Sequence, residues 1–518
     1  MKKLVLLFFF TSGIASAQTD WSGTAANILY KHCTSCHHQG GIAPFSLMTY
    51  SDAFQNSSDI EDVILSGAMP PWPPDPQYTR FAHERVLTQQ ERTALLDWVA
   101  QGALAGDTNL APTPPVYSGL SEITNPDLVS RIPNYLVNTS SDLYRCFVIP
   151  SSLPTGQYIT ELEALPGNRE IVHHILIYED TSSIPVQLDS QDPDPGYTNF
   201  GGTGSIYSKL VGVWVPGQQV TRMPAGMGIK LSANTNIILQ IHYPGGTMGK
   251  TDSTEIRFKL TSTALREVAI NPPLNHYQLD NGPLFIPANT TKTFTSHYIL
   301  PFEASVLAVG PHMHLIGKSV TSYGVTPTQD TIPFIHIPEW DFHWQGTYTF
   351  PRILRVPIGT TLYGSAFYDN TSANHHNPNH PPQNVALGES TTDEMMLIYF
   401  AYTPYQTGDE NIVQDSSIIL ENKEINYSGI VNSPQLYSPY PNPAGEKITI
   451  QFLLPEKSKV KLALHDHLGR IVWASEENQN RNAGYHSVTV PLSNLSSGVY
   501  TFSLETPKHV RSKKVVIE

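Results

Sequence analysis

IVHHILIY at residues 171–178 is the stretch on which the fold turns. Two histidines interrupt a run that is otherwise apolar, β-branched and aromatic, the composition of a short strand. IILQIHYP (237–244), HMHLIGKSV (312–320) and DEMMLIY (393–399) repeat the pattern, each a strand-like run with a metal-ligating side chain in or beside it. In a strand, residues i and i+2 face the same way, so His312 and His314 can grip one ion. His173 and His174 are consecutive and face opposite sides of a regular strand, so they can share a metal only at a distorted strand end. The candidate sets are His173, His174 and His242 for one site, and His312, His314 and Met395 for the other. Five imidazoles and one thioether suit copper, because imidazole serves both oxidation states and soft sulfur favours Cu(I).

Other histidine pairs act as internal controls. His375 and His376 lie in a polar loop (374–381), and His465 and His467 lie near the C-terminal end. Both read as solvated surface residues. The chain has 20 histidines, so a bare HH or H-x-H means little without an apolar strand around it.

Working outward, 518 residues imply three or four domains. Hydrophobic residues make up 40% and charged ones only 15%, and the 42 prolines and 35 glycines favour many turns and short strands. The fold class expected is mainly β. A formal charge of −14 excludes the basic footprint that nucleic acid needs. Residues 1–17 (MKKLVLLFFFTSGIASA) read as a secretory signal peptide, with two lysines, a short apolar stretch and a small-residue cleavage site. No other run is long enough to span a membrane. Three cysteines leave no intrachain disulfide framework once two are assigned to haem, and Cys146 reads as a small buried apolar side chain.

Residues 18–108 read as a mostly helical domain. Lys31-His32-Cys33-Thr34-Ser35-Cys36-His37 contains C-x-x-C-H, in which two thiols add to haem vinyl groups and the adjacent histidine ligates iron. The candidate haem c residues are therefore Cys33, Cys36 and His37, with Met69 of GAMPPW as second axial ligand and His83 as its rival. Thr88-Gln89-Gln90-Glu91 is a capping box opening a helix that ends near Gly102. That helix resembles the last helix of a small cytochrome c. Residues 109–140 are proline-rich and read as a linker. From 141 to 430, short strands alternate with turn clusters over a length too great for one sandwich. Two β-sandwiches are expected, at 141–275 and 276–430. Residues 431–518 form a further small β module.

The four histidine- and methionine-bearing pieces occur in the order found in copper type II, ascorbate-dependent monooxygenases. The segment from about 141 to 425 resembles that family, which includes peptidylglycine α-hydroxylating monooxygenase and dopamine β-monooxygenase. The resemblance implies two jelly-roll-like sandwiches and two copper ions. His173, His174 and His242 match the electron-transfer copper ligands; His312, His314 and Met395 match the oxygen-activating ones. It also implies O2 as co-substrate, a small-molecule substrate, and ascorbate or another redox carrier as electron donor. Departures are informative. Gly310 stands where the peptidylglycine enzyme has an arginine that grips the peptide carboxylate, and Leu397 stands for an asparagine, whereas Tyr399 is retained as a candidate catalytic residue. A glycine-extended peptide is therefore not the expected substrate.

At the C-terminal end, PNPA (441–444), the L-x-x-GVY turn (495–500) and KKVV (513–516) resemble a type A sorting domain of the type IX secretion system. The implied partner is that secretion machinery, and the implied location is the cell surface or the medium, reached through the periplasm. Together these readings describe an exported monooxygenase fed by a fused c-type haem, or alternatively a non-catalytic haem and copper electron carrier. A zinc hydrolase fits less well, because no carboxylate or cysteine accompanies His312 and His314 in sequence.

Overall fold

The computed structural model describes residues 19–41, 43–117, 121–388, 390–416 and most of 434–517. The expected leader (1–17) and most of the PNPA start lie outside the described residues. The chain divides into two units, residues 1–72 with 85–120, and residues 73–84 with 121–518. It is mainly β, at 40% strand and 13% helix, and among the described residues no sheet closes into a barrel.

The first unit is helical: α1 (Ala26–His32), α2 (Tyr50–Gln55), α3 (Ser57–Ser66) and α4 (Gln89–Ala100). The expected capping box opens α4, with the Thr88 hydroxyl accepting from the Glu91 backbone and the Glu91 carboxylate accepting from Thr88. Gly102 ends the helix at φ +88°, a conformation that costs glycine no steric clash. Trp21, Leu29, Ile60, Ile64, Leu95 and Trp98 form the core.

The second unit holds the longer strands. In chain order they are β1 (Leu128–Arg131), β2 (Leu143–Pro150), β3 (Gln157–Leu165), β4 (His174–Asp180), β5 (Lys209–Trp214), β6 (Met227–Leu231), β7 (Asn236–Tyr243) and β8 (Glu255–Thr261). Next come β9 (Ala269–Asn275), β10 (Thr291–Ile299), β11 (Ala304–His312), β12 (Gly317–Val325), β13 (Thr331–Ile337), β14 (Tyr348–Val356), β15 (Thr361–Asp369) and β16 (Leu397–Pro404). Sheet β1-β8-β3-β6 faces sheet β2-β7-β4-β5. Ile159, Leu162, Ile229 and Phe258 of one meet Phe147, Ile175, Ile177, Ile237, Leu239 and Ile241 of the other in a single apolar core. Strand alternation then puts His174 and His242 on the opposite, outer face of the second sheet.

Two further sheets, β9-β16-β11-β14 and β10-β15-β12-β13, form a second layered pair. Phe334 of β13 meets Phe400 of β16 edge to face between them. The outer face of the β11 sheet packs on the first sandwich: Leu307 and Ile353 are members of its core, and Ile270, Ala401 and Ile412 press against it. Arg266 makes a two-point bond to Asp409 across the same junction, and Ser305 donates to that carboxylate at 2.6 Å.

Part of the segment read as linker is ordered. β1 pairs with β8 in antiparallel register, and Tyr135–Leu136 pairs with Thr251–Asp252. A four-residue edge strand is too short for its alternation to stand out, and its partner lies over a hundred positions away. β9 falls before the border expected at 275/276, yet it pairs with β16. The C-terminal strands, from Lys447–Leu454 to Val510–Ile517, enclose their own core around Ile450, Phe452, Leu462, Phe502 and Val515. No described helix is long and apolar enough to cross a membrane.

Candidate metal centres

The consecutive pair His173-His174 is accommodated at a strand end. His174 is the first residue of β4 and stands directly opposite His242 of β7. His173 lies just before the strand, where its N–H donates to the His242 carbonyl at 2.9 Å. Freed from strand alternation, its ring turns toward the other two. The His173 and His174 Nδ1 atoms lie 3.1 Å apart, and those of His173 and His242 3.2 Å apart. The ligand atoms of all three lie within 4.8 Å of one another. Imidazole nitrogens about 2.0–2.1 Å from one metal ion, at near-tetrahedral angles, are separated by roughly 3.1–3.4 Å, so this spacing suits one ion.

Neighbours that the sequence reading missed orient this trio. His242 Nε2–H donates to Asp142 Oδ1 at 3.2 Å, which leaves its Nδ1 lone pair for a metal. That bond is the leading cause holding the Asp142 carboxyl below the usual carboxylate range. Tyr144, opposite His242 on β2, stacks on its ring at 4.2 Å and 6°. Its buried hydroxyl has no hydrogen-bond partner among the described residues. Replacing Asp142 by Asn should weaken copper at this site about tenfold and leave the other site unchanged, as measured by chelator competition. Equal affinities in the two proteins would remove Asp142 from the site.

His312 ends β11, and His314 follows in the turn after it. Their rings are 5.1 Å apart and perpendicular. His312 Nδ1 bonds Gln345 Oε1 at 2.5 Å, and His314 Nδ1 bonds the Asp393 carbonyl at 3.1 Å. Both acceptors demand an Nδ1–H, so the two Nε2 lone pairs are left for a metal. The two sites thus offer different imidazole nitrogens, Nδ1 in one and Nε2 in the other. Trp340 donates to the His314 carbonyl at 3.2 Å, and Phe342 meets its ring edge-on.

Met395 is 5% exposed and sits two residues before Leu397, the strand partner of His312. Its backbone is pinned at three points. Its N–H donates to Glu394 at 3.1 Å, its carbonyl accepts from Tyr368 at 2.7 Å, and the next N–H, of Met396, donates to His276 Nδ1 at 3.3 Å. Glu394 is fully buried and also accepts from the His314 and Ile316 N–H groups, both at 2.9 Å. One carboxylate therefore joins the histidine turn to the methionine strand. Gly310 pairs with Tyr399 on the same face of the sheet.

Burial keeps these imidazoles neutral. It pushes His312 down to about 3 and His314 and His276 to about 4, and a charge on His312 would further oppose one on His174. An unfolded imidazole takes up a proton below about pH 6.5, and these folded ones do so only near pH 3–4. The metal-free fold should therefore lose stability, by several kcal/mol in all, as pH falls from about 6.5 toward 4. Melting curves at pH 7.5, 6 and 5 check this, and a melting temperature constant over that range would contradict it.

In the helical unit, the Cys36 and His37 N–H groups both return to the Cys33 carbonyl, so C-x-x-C-H forms one tight turn. His37 Nδ1 bonds the Phe45 carbonyl at 3.1 Å, which leaves Nε2 for an axial position. Met69 follows α3, with its N–H on the Val63 carbonyl. His83 belongs to the other unit, where it bonds Asp415. Cys146 is buried on β2, with its thiol pushed up to about 12 by desolvation. Of the control histidines, His375 and His376 are exposed, and His465 bonds Ser503.

The segment carrying the first trio, residues 129–248, matches the copper type II ascorbate-dependent monooxygenase, N-terminal domain. That segment is similar to the family's N-terminal domain. The match implies copper. His312, His314 and Met395 lie beyond the matched residues. Residues 438–518 match the secretion system C-terminal sorting domain, of the type IX system, which marks export to the cell surface or the medium. Among solved structures, a β-glucuronidase from Faecalibacterium prausnitzii is 10% identical, covering 50% of this chain and 41% of that one at a TM-score of 0.13. One from Parabacteroides merdae is 9% identical, covering 44% and 28% at 0.14. The chain spans less than half of either, and likenesses of this size carry no argument.

Proposed function

We propose that the chain is an exported monooxygenase that hydroxylates a C–H bond of a small substrate with O2, drawing electrons through a covalently held haem. The observation that carries this reading is the unlike pair of donor sets. Three converging Nδ1 atoms lie on one sheet, and two Nε2 atoms freed by their own Nδ1–H bonds lie beside a pinned methionine on the other. Copper bound at these positions would supply a one-electron store at the first and oxygen activation at the second. The chain's part is to keep the imidazoles neutral, to set their rings through Asp142, Gln345 and the Asp393 carbonyl, and to shield the second site with Trp340 and Phe342. A haem on Cys33 and Cys36 would deliver single electrons, with His37 and Met69 as its axial ligands.

Two experiments test this. Copper-loaded full chain, given ascorbate and labelled O2 over a panel of small substrates, should place one labelled oxygen atom in a product. No incorporation would favour the electron-carrier alternative. In stopped flow, prereduced haem should reoxidise when copper and O2 are both present; haem that stays reduced under those conditions rules out the relay.

A further inference from the structure

The second site lacks the arginine and asparagine that Gly310 and Leu397 replace, so on the monooxygenase reading its substrate must be seated by something else. Asn275, Leu397 and His312 form one row across β9, β16 and β11. The residue after this row, His276, turns out of the ladder and is 6% exposed. Its Nδ1 takes the Met396 N–H that a continued β9 would have bound. A nitrogen that accepts an N–H carries no proton of its own, so in the neutral ring the proton is on Nε2. A protonated Nε2 cannot ligate a metal, and His276 is therefore a donor beside the site and not a third imidazole ligand. That Nε2–H has no protein partner among the described residues. His276 thus stands one residue beyond the row that His312 joins, bonded to the residue after Met395.

We propose that the His276 Nε2–H is the hydrogen-bond donor that seats the substrate at the second site, which therefore selects an uncharged molecule with an oxygen acceptor beside the reacting C–H. The surroundings agree with this class. Trp340 and Phe342, against His314, are apolar and largely buried. The acidic groups across the turn, Asp393 and Glu394, offer a carboxylate no positive charge, and no lysine or arginine side chain bonds a residue of the site among the described residues.

The probes are acetophenone, which has a carbonyl acceptor beside its methyl group, ethylbenzene, which has none, and benzoate, an anion. They are titrated into the full chain loaded with Cu(I) and labelled with 15N-histidine, and NMR reads both the tautomer and the binding. His276, assigned by its absence in His276→Phe, should carry its proton on Nε2. Acetophenone should shift that nitrogen and bind roughly three- to tenfold more tightly than either ethylbenzene or benzoate. His276→Phe should bring acetophenone and ethylbenzene within twofold, and His276→Gln, which can still accept from Met396 and donate, should restore the preference. A proton on Nδ1, a preference that survives in His276→Phe, or no binding by any probe overturns the proposal. The titration needs no turnover. Absence of labelled-oxygen incorporation would sink the monooxygenase reading while leaving the titration result standing, so the two failures are distinguishable.

Discussion

Met395→Leu should lower ascorbate-driven oxygen uptake by about 100-fold or more while leaving the protein folded. Leucine nearly matches methionine in volume, and such swaps in a packed interior cost under about 1.5 kcal/mol. The backbone around position 395 is held by Glu394, Tyr368 and His276 through main-chain atoms, so the exchange leaves those bonds intact. The one group lost is the thioether sulfur, the soft ligand that favours Cu(I). Outer partners of metal ligands already cost 10–100-fold when removed, so a direct ligand should reach at least the upper end of that range. Copper analysis should fall from two ions per chain to one, with the His173, His174 and His242 trio still loaded. Unchanged oxygen uptake together with two bound ions would sink the assignment of Met395.

Glu394→Ala should destabilise the protein by roughly 3–5 kcal/mol, the largest effect expected of any single change near the second site. The carboxylate is fully buried and holds the N–H groups of His314, Ile316 and Met395. Its removal leaves three buried donors without an acceptor and opens a cavity. Burial pushes this carboxyl up to about 8, against the pull of the same backbone donors. Glu394→Gln keeps the volume and one acceptor oxygen but sets an amide against N–H groups, and it should cost less, roughly 1–3 kcal/mol. Both variants should lose copper from the second site before the first, as read by chelator competition beside the denaturation curves. An alanine variant as stable as the parent would show that these hydrogen bonds are replaced by water.

The histidine-bearing strands were legible in the sequence because histidine inside IVHHILIY or IILQIHYP breaks a local pattern that composition alone makes conspicuous. Strand alternation was the expected link between His312 and His314, but His314 lies in the turn after β11, and that turn sets the two rings 5.1 Å apart. The partners that complete the sites left no such trace. Asp142 lies one hundred positions from His242, and Gln345 lies 33 from His312. His276 follows an asparagine in an ordinary-looking turn, and only the pairing of β9 with β16 gives its ring a role. Glu394 stood inside a quoted motif, but four residues of local sequence do not say that its carboxylate reaches back eighty positions to His314. β1 was missed for the same reason, since a four-residue edge strand is defined by its partner. Local periodicity reports which face a side chain takes, whereas a hydrogen bond across sheets depends on tertiary closure.

The junction between the two sandwiches has a kinetic meaning. Leu307 and Ile353 sit inside the neighbouring core, and Arg266 and Asp409 join across it. Sandwiches joined through a common apolar interior do not hinge freely. On the proposed reading, the gap an electron would tunnel between the trio at 173, 174 and 242 and the pair at 312 and 314 is then a constant of the architecture. Transfer across it would be governed by the redox potentials of the two ends, with no opening and closing motion to set the pace.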